Sequence, residues 1–329
     1  MAEIFEDTST APTMLGLGIS LQIITVGLVG VRIKARLQMG KQLQVHDWAI
    51  LFAELFSLPQ LIFIVDAILN GYGRHAPFVP LPNITKALHS VFIAQVIWYW
   101  SATLVKVSVV CLILSLRRTS RAWLNFCYTA IVILLSALAM ITATQFLACR
   151  PLSVYWDPMV GENVVCWPKE ALLSMVVGFS VIQALADVVF SFIPLTFLLH
   201  LKQPLRQKII ISILMSLGLM ASGTAIARTV IGVQSGGDMF RRNADITLLA
   251  LLDLHVGIIA ATLPTLKVFF EGVLVKLVEG TKSEKTEEDV RTAFCEMGLL
   301  DMSHYPGKLG KGQKSVEGDI GLVKIRSER

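Results

Sequence analysis

The chain alternates between long apolar stretches and short polar segments. Seven stretches hold about 20 or more mostly apolar residues, the length a helix needs to cross a hydrocarbon core ~30 Å thick. In lipid the backbone must satisfy its own hydrogen bonds, which a helix does and an open strand does not. The stretches are 13–31, 47–69, 87–116, 123–147, 171–200, 209–233 and 245–270. The pattern predicts an all-α fold, a bundle of seven transmembrane helices.

The composition excludes an ordinary soluble globule. Of the 329 residues, 54% are hydrophobic and 16% are charged, whereas soluble domains carry roughly a quarter charged residues. The net charge of +5 arises among the membrane segments, where basic loops meet an anionic lipid surface. The lipid bilayer is therefore the expected partner, and no nucleic acid is expected.

Loop charges predict the orientation of the bundle. The loops after spans one, three and five hold ten cations, and the other side holds six. The ten are Arg32, Lys34, Arg36, Lys41, Arg117, Arg118, Arg121, Lys202, Arg206 and Lys208. Because cytosolic loops carry the excess of Lys and Arg, we expect the N-terminus outside and the C-terminus in the cytosol. We expect an integral, multi-pass protein of the plasma membrane or an endomembrane.

Two features of the predicted outer side agree with this orientation. Cys149 and Cys166 both fall in the loop between spans four and five, in the oxidising compartment, which predicts a disulfide between them. Asn83 begins an Asn-x-Thr sequon on the same side and is a candidate glycosylation site, although it lies close to span three. The other three cysteines are expected to stay reduced.

The composition changes after Glu271 to a tail rich in glycine and charge. The predicted organisation is an outer segment 1–12, a transmembrane domain 13–271 and a cytosolic tail 272–329. A capping threonine and acidic first turn predict one short helix from Thr286 to about Leu300. The rest lacks the apolar content to fold alone and is expected to be mostly disordered.

Ionisable side chains within the spans are the strongest site signal. A charge in hydrocarbon costs at least ~2.5–3.5 kcal/mol, so such groups should face the interior and pair. The helical rise of about 1.5 Å per residue predicts their depth. It predicts an inner cluster of Glu54, Lys106 and Asp187. It also predicts an outer pair of Arg228 and Asp253, with His255 just below.

Helical periodicity adds polar and aromatic neighbours to these charges. Gln95 and Tyr99 share a stripe of span three with Lys106, and Gln183 shares a stripe of span five with Asp187, which predicts that all face inward. The run from Trp98 to Trp100 lies near the middle of the membrane. Its rings have two interpretations, the wall of a pocket for an apolar or cationic ligand, or packing against lipid and helices.

Backbone-shaping residues predict how the spans bend and pack. Pro194 and Pro264 predict kinks in spans five and seven, and the small residues between Ser216 and Gly223 predict close helix approach in span six. The charges themselves have three interpretations. They are ties that lock the bundle, at about 0.6–2 kcal/mol each. Alternatively the outer set lines a ligand pocket and the inner set acts as a switch, or the groups carry proton or catalytic chemistry.

A series of short motifs runs in order from about His46 to Phe270. They are Asp47-Trp48, Gly71-Tyr72-Gly73-Arg74-His75, Lys106-Val107-Ser108, Cys149-Arg150-Pro151, Tyr155-Trp156-Asp157, Cys166, Asp187, Pro194, Gly257-Ile258 and Leu263-Pro264-Thr265-Leu266-Lys267. In this order the chain resembles the fungal rhodopsin-like integral membrane proteins, a heptahelical family. The resemblance implies a receptor-like fold. Its members include proteins linked to pathogenicity and proteins of toxin or other secondary-metabolite gene clusters, such as the satratoxin cluster.

The chain departs from the family pattern at the candidate site. His255 and Asp253 stand where an amide and a longer acid are expected, and Gln183 stands where asparagine is common. Retinal would need a lysine near the middle of span seven. Lys267, the only lysine of that span, lies about 20 Å from Asp253 by helical rise. We therefore expect no retinal. We also expect no other cofactor and no metal.

Three functions from different classes remain. The first, which we expect, is a receptor-like sensor of a small apolar molecule, or a membrane component tied to secondary-metabolite biosynthesis, with a cytosolic signalling or biosynthetic partner. The second is a membrane-embedded enzyme of cyclase or isomerase type, with Glu54, Asp187 or Asp253 as a buried acid. The third is a non-catalytic scaffold or transport accessory.

Overall fold

A computed structural model describes residues 9–38, 40, 42–116, 120–157, 159, 164–200, 205–233 and 238–280. Seven helices run through them: α1 Ala11–Gln38, α2 Val45–Leu69, α3 Leu81–Leu116, α4 Arg121–Leu147, α5 Lys169–His200, α6 Leu205–Val233 and α7 Met239–Gly280. Each contains a segment long and apolar enough to span a membrane. The prediction of seven spanning helices is confirmed. The helix expected from Thr286 lies outside the described residues.

The chain divides into a unit of residues 1–274 and a second unit of residues 275–329. The helix α7 continues past residue 270, where the sequence pattern predicts the end of span seven, to Gly280. The candidate site lies entirely in the first unit.

The third helix is the centre of the bundle. In its most apolar window 56% of the residues are buried, against 28% in α1 and in α4. The main core cluster packs Trp98, Tyr99 and Ala102 of α3 against residues of α1, α2, α4, α5 and α7. The outward faces of the other helices carry large apolar side chains such as Ile62 and Val132, the surface expected of helices in lipid.

One end of the bundle is closed by the segment between α4 and α5. Strands β1 (Cys149–Arg150) and β2 (Val165–Cys166) pair antiparallel, and a disulfide joins Cys149 to Cys166. The predicted disulfide is confirmed. Trp156, which follows a short 3-10 turn, packs its ring against Phe92 and His89 near the start of α3, with centroids 5.3 and 4.7 Å apart. We call this end the disulfide end.

The turn between α2 and α3 ties three helices together at the disulfide end. Gly71 and Gly73 have φ of +93° and +96°, a conformation that favours glycine. The carbonyl of Gly73 accepts hydrogen bonds from the Thr10 amide at 3.0 Å and from Arg241 Nη1 at 2.8 Å. Between them, Tyr72 is fully buried and shares a 2.9 Å hydrogen bond with Thr247. Burial raises the pKa of Tyr72, so its hydroxyl stays protonated.

Close packing of α5 and α6 depends on one glycine. A Cβ atom at Gly218 would lie 1.7 Å from Oγ of Ser191, a separation that no side chain tolerates. Gly218 belongs to the small-residue segment of span six, and its close approach to α5 agrees with the sequence prediction. The side chain of Pro194, one of the two predicted kinks, is not among the described side chains. Pro264 lies inside α7.

Candidate functional site

Arg32 is fully buried at the end of the bundle opposite the disulfide, which we call the Arg32 end. Its Nε donates to Oδ1 of Asp47 at 2.9 Å, and its Nη1 donates to the carbonyl of Ala261 at 2.8 Å. The exposed fractions of the two paired side chains are 1% and 0%. The sequence prediction placed Arg32 in a solvated loop, and this is wrong. Helix α1 continues to Gln38, which carries Arg32 inside the bundle.

The Arg32 contacts join four helices. Asp47 also accepts from the backbone amide of Gln44 at 3.1 Å and lies 3.4 Å from Nε of Arg36. Ser108 of α3 donates to the carbonyl of His46 at 2.6 Å. The acceptor on α7, Ala261, lies in the turn before Pro264, where proline interrupts the helical hydrogen-bond ladder. We call Arg32, Asp47, His46, Ser108 and Ala261 the Arg32 cluster.

Glu54 lies in a separate polar network on the α1 side of the bundle. Its Oε1 accepts from Nε2 of Gln22 at 2.6 Å and from Oγ1 of Thr25 at 3.0 Å. The other end of the Gln22 amide, Oε1, lies 3.2 Å from Nε2 of His255, whose Nδ1 donates to the carbonyl of Leu251 at 2.8 Å. Glu54 therefore does not join Lys106 and Asp187 as predicted. Helical rise fixes depth but not direction, and Glu54 faces α1.

Lys106 and Asp187 form the interhelical pair that the sequence predicts. Nζ of Lys106 lies 3.2 Å from Oδ1 of Asp187, and the side chains are 7% and 13% exposed. One turn towards the disulfide end, Gln183 donates to Oγ1 of Thr103 at 3.3 Å. These contacts connect α3 and α5 along the stripes expected from periodicity. The second carboxylate oxygen of Asp187, Oδ2, is buried without a hydrogen-bond partner among the residues that the structure describes.

Arg228 and Asp253 do not form the predicted outer pair. Within the described part of the chain, neither side chain has an ion pair within 4.0 Å, although each charge acts on the other electrostatically. The guanidinium of Arg228 instead stacks over the ring of Trp98, 4.0 Å from its centroid. Trp98 is held there because its Nε1 donates to the carbonyl of Ala250 at 3.0 Å.

Hydrogen-bonding groups near this stack are left over. Both terminal nitrogens of Arg228 and Oδ1 of Asp253 are buried without a hydrogen-bond partner among the described residues. His255, predicted just below the pair, faces Gln22 of α1 instead. The physical reason is again direction, since residues 253 and 255 point to opposite sides of α7.

A cavity of about 220 Å³ lies between α3, α5, α6 and α7. Its wall is mostly apolar, and its polar side chains are those of Lys106, Asp187, Ser191 and Asp253. The apolar wall includes Ala102, Val109, Leu112, Phe190, Leu217, Ala221, Leu254 and Pro264. The cavity thus draws on both predicted groups, the inner one through Lys106 and Asp187 and the outer one through Asp253.

The mid-membrane aromatic run belongs mainly to the core. Trp98 and Tyr99 are 5% and 3% exposed, and the ring of Tyr99 meets that of Phe179 edge-on at 5.0 Å. Trp100 is 42% exposed and faces outward. The packing interpretation therefore describes these rings better than the pocket interpretation.

Gln95 departs from the expected inward stripe. Its side chain is exposed, and its Nε2 donates to the hydroxyl of Tyr99 at 2.8 Å. Four residues rotate an α-helix by about 400°, so Gln95 is offset from the direction of Tyr99 by about 40°. This offset places Gln95 at the edge of the buried face.

The sequence interpretation missed the polar stripe of α1. Gln22, Thr25 and Arg32 are buried together with Val29, at spacings of three, four and three residues. That spacing is the periodicity of one helix face. The signal was present in the sequence, but the cation count for orientation treated Arg32 as a loop residue.

These features define a heptahelical membrane protein with a polar, partly unpaired interior. The chain belongs to the fungal rhodopsin domain family, whose model matches residues 31–272. No curated protein matches the chain. The family assignment supports the fold and the multi-pass membrane location, but it does not identify a ligand.

Retinal does not fit the described cavity. The part of α7 that lines it, from Asp253 to Pro264, contains no lysine, and the cavity's own lysine is paired with Asp187.

Proposed function

We propose that this protein is a receptor-like sensor of a small, mostly apolar molecule. The observation that carries the proposal is the cavity of about 220 Å³ among four helices, with an apolar wall and a few convergent polar groups. Ligand sites in proteins have this character, although most are larger. Because four helices form the wall, an occupant that contacts all of them favours one arrangement of the bundle over another.

The Arg32 cluster offers a route by which a structural change at the cavity reaches the Arg32 end of the bundle. Pro264 and Ala261 both line the cavity, and the carbonyl of Ala261 accepts the hydrogen bond from Arg32. A shift of α7 at the cavity therefore changes an acceptor of the Arg32 cluster. The loops beyond this cluster are the ones that loop charge assigns to the cytosol, where a signalling or biosynthetic partner would bind.

The proposed orientation has the N-terminus outside and the C-terminus in the cytosol. Loop charge supports it, and so does the disulfide between Cys149 and Cys166, since such bonds persist in oxidising compartments. Asn83, in the first turn of α3, then faces the compartment in which glycosylation occurs. The membrane is the plasma membrane or an endomembrane.

A second candidate is a membrane-embedded enzyme of secondary metabolism. The observation that favours it is a pair of carboxylate oxygens at the cavity, Oδ2 of Asp187 and Oδ1 of Asp253, that are buried without hydrogen-bond partners in the described part of the chain. A buried carboxyl group of this kind can serve as a general acid. The two functions differ in outcome, because a sensor releases its ligand unchanged.

Purified protein in lipid nanodiscs provides the test. A panel of apolar molecules of up to about ten carbons is screened for concentration-dependent thermal stabilisation, and the recovered compounds are checked by mass spectrometry. We expect saturable binding without conversion. Ala221→Leu, which fills the cavity wall, should abolish the stabilisation, whereas Ala143→Leu on the exposed face of α4 should retain it.

Two results would count against the proposal. Conversion of a bound compound that depends on Asp187 or Asp253 would favour the enzyme. If the added compounds stabilised both leucine variants equally, binding would lie outside the cavity. The non-catalytic scaffold would then be the remaining function.

A further inference from the structure

The polar wall of the cavity is short of hydrogen-bond donors. Nζ of Lys106 lies 3.2 Å from Oδ1 of Asp187. The hydroxyl of Ser191 donates to the backbone carbonyl of Asp187 at 2.6 Å. Neither group reaches the remaining carboxylate oxygens, and Oδ2 of Asp187 and Oδ1 of Asp253 are left without a partner among the described residues.

Asp253 is the more exceptional of the two acids. It is 4% exposed, and in the described part of the chain its side chain has no hydrogen bond and no ion pair within 4.0 Å. A buried carboxyl group without hydrogen bonds carries a desolvation cost. A donor that enters the cavity beside Asp253 removes that cost, so the wall is built to accept a hydrogen bond.

The nearby cations do not meet this need. The charges that act on this region are those of Lys106, Asp187 and Arg228. Lys106 pairs with Asp187, and Arg228 stacks on Trp98 outside the cavity wall. The cavity wall therefore carries two carboxyl groups and one ammonium group. Since the ammonium pairs with Asp187, the wall has one more acceptor group, that of Asp253, than it has cationic donors.

We infer that the cavity takes a compact apolar molecule with one hydrogen-bond donor, a protonated amine or a hydroxyl, which donates to Asp253, and that it rejects carboxylates. This inference rests on the proposed ligand-binding function and adds the chemical class of the ligand. The apolar body lies against Val109, Leu112 and Phe190, and the donor lies at the Asp253 side. The volume suits a single ring with a short substituent, by comparison with the roughly 150 Å³ that holds benzene.

Four probes with the same ring test the inference: benzylamine, benzyl alcohol, toluene and benzoate. Benzylamine and benzoate are the decisive pair. Each carries one full charge, positive on benzylamine and negative on benzoate, and the two ions pay a similar desolvation cost. Equilibrium dialysis against loaded and empty nanodiscs separates binding to the protein from partition into lipid. We expect benzylamine to bind about tenfold or more tighter than benzoate, the effect of a hydrogen bond to a charged group.

Two isosteric variants locate the acceptor. Asp253→Asn should reduce the preference for benzylamine over benzoate by about tenfold, because it removes the charge and keeps the shape. Glu54→Gln neutralises another buried carboxylate that does not line this cavity, and it should leave the preference unchanged. If Asp253→Asn fails to fold, the ratio in the unaltered protein still decides the ligand class.

The failures of the two proposals are distinguishable. Benzoate binding as tightly as benzylamine would overturn the inferred ligand class and leave the cavity as a binding site. An unchanged preference in Asp253→Asn would overturn the assignment to Asp253. The absence of binding by all four probes would remove the proposed function together with the inference.

Discussion

Two buried arginines in this bundle have opposite surroundings. Arg32 donates to a carboxylate of α2 and to a backbone carbonyl of α7. Arg228 lies over an aromatic ring, and its terminal nitrogens have no hydrogen-bond partner among the described residues. Buried polar groups are normally satisfied. The contrast indicates that the Arg32 cluster holds the fold together, whereas the polar groups around Arg228 are not fully paired within the described part of the chain.

The largest expected effect is at Arg32. Arg32→Met leaves Asp47 buried without its main partner, and breaking a buried pair costs about 3–5 kcal/mol. We expect severe loss of folded protein, measured as monodisperse yield and thermal unfolding. Lys34→Met, two residues away on an exposed position, is the control and should be close to neutral. Equal losses in both variants would show that the buried cluster is not special.

Removal of the disulfide is the next largest effect. Cys149→Ser with Cys166→Ser should lower stability by about 3 kcal/mol, the value for a closed loop of about 15 residues. A reductant should lower the unfolding temperature of the unaltered protein and have no effect on the double variant. Ready alkylation of both thiols without reduction would refute the disulfide.

A smaller effect is expected at the contact between α5 and α6. Gly218→Ala forces a methyl group into Ser191, and overpacking of this kind costs about 1–3 kcal/mol. Gly223→Ala, on the same helix with no atom within 4 Å of the added Cβ, is the matched control. Unfolding temperatures that change by the same amount would contradict the close approach of the two helices.

The smallest effect on stability is expected at Arg228. Arg228→Met removes a cation–π contact of about 1–2 kcal/mol, but it also removes the cost of unpaired buried donors. The two terms partly offset each other, so we expect a change below about 1 kcal/mol in unfolding free energy. A loss as large as that of Arg32→Met would contradict the contrast between the two arginines, because it would show that Arg228 is also a structural tie.

Sequence reasoning predicted the elements well and the pairings poorly. The number of helices follows from the length of apolar runs, and the disulfide was predictable because its two cysteines share one loop. Depth along each helix was also predictable, and the predicted depths of Lys106 and Asp187 agree with their observed pairing. The neighbours of Glu54 and Arg228 were not predictable, because rise per residue does not say which helix a side chain faces.

The buried position of Arg32 shows a different limit. A cation near the end of a span counts equally towards orientation whether it lies in water or inside the bundle. Only its place on the stripe with Gln22 and Thr25 distinguishes the two cases. That pattern needed to be weighed against loop charge, and the helix end at Gln38 decides in favour of burial.

The most direct test of a ligand site in the bundle is an electron cryo-microscopy structure in nanodiscs with benzylamine present. We expect density for the ring between α3, α5, α6 and α7, with the nitrogen within about 3 Å of an Asp253 carboxylate oxygen. A cavity collapsed onto its own side chains, or benzylamine bound only at the lipid-facing surface, would contradict the proposed ligand site.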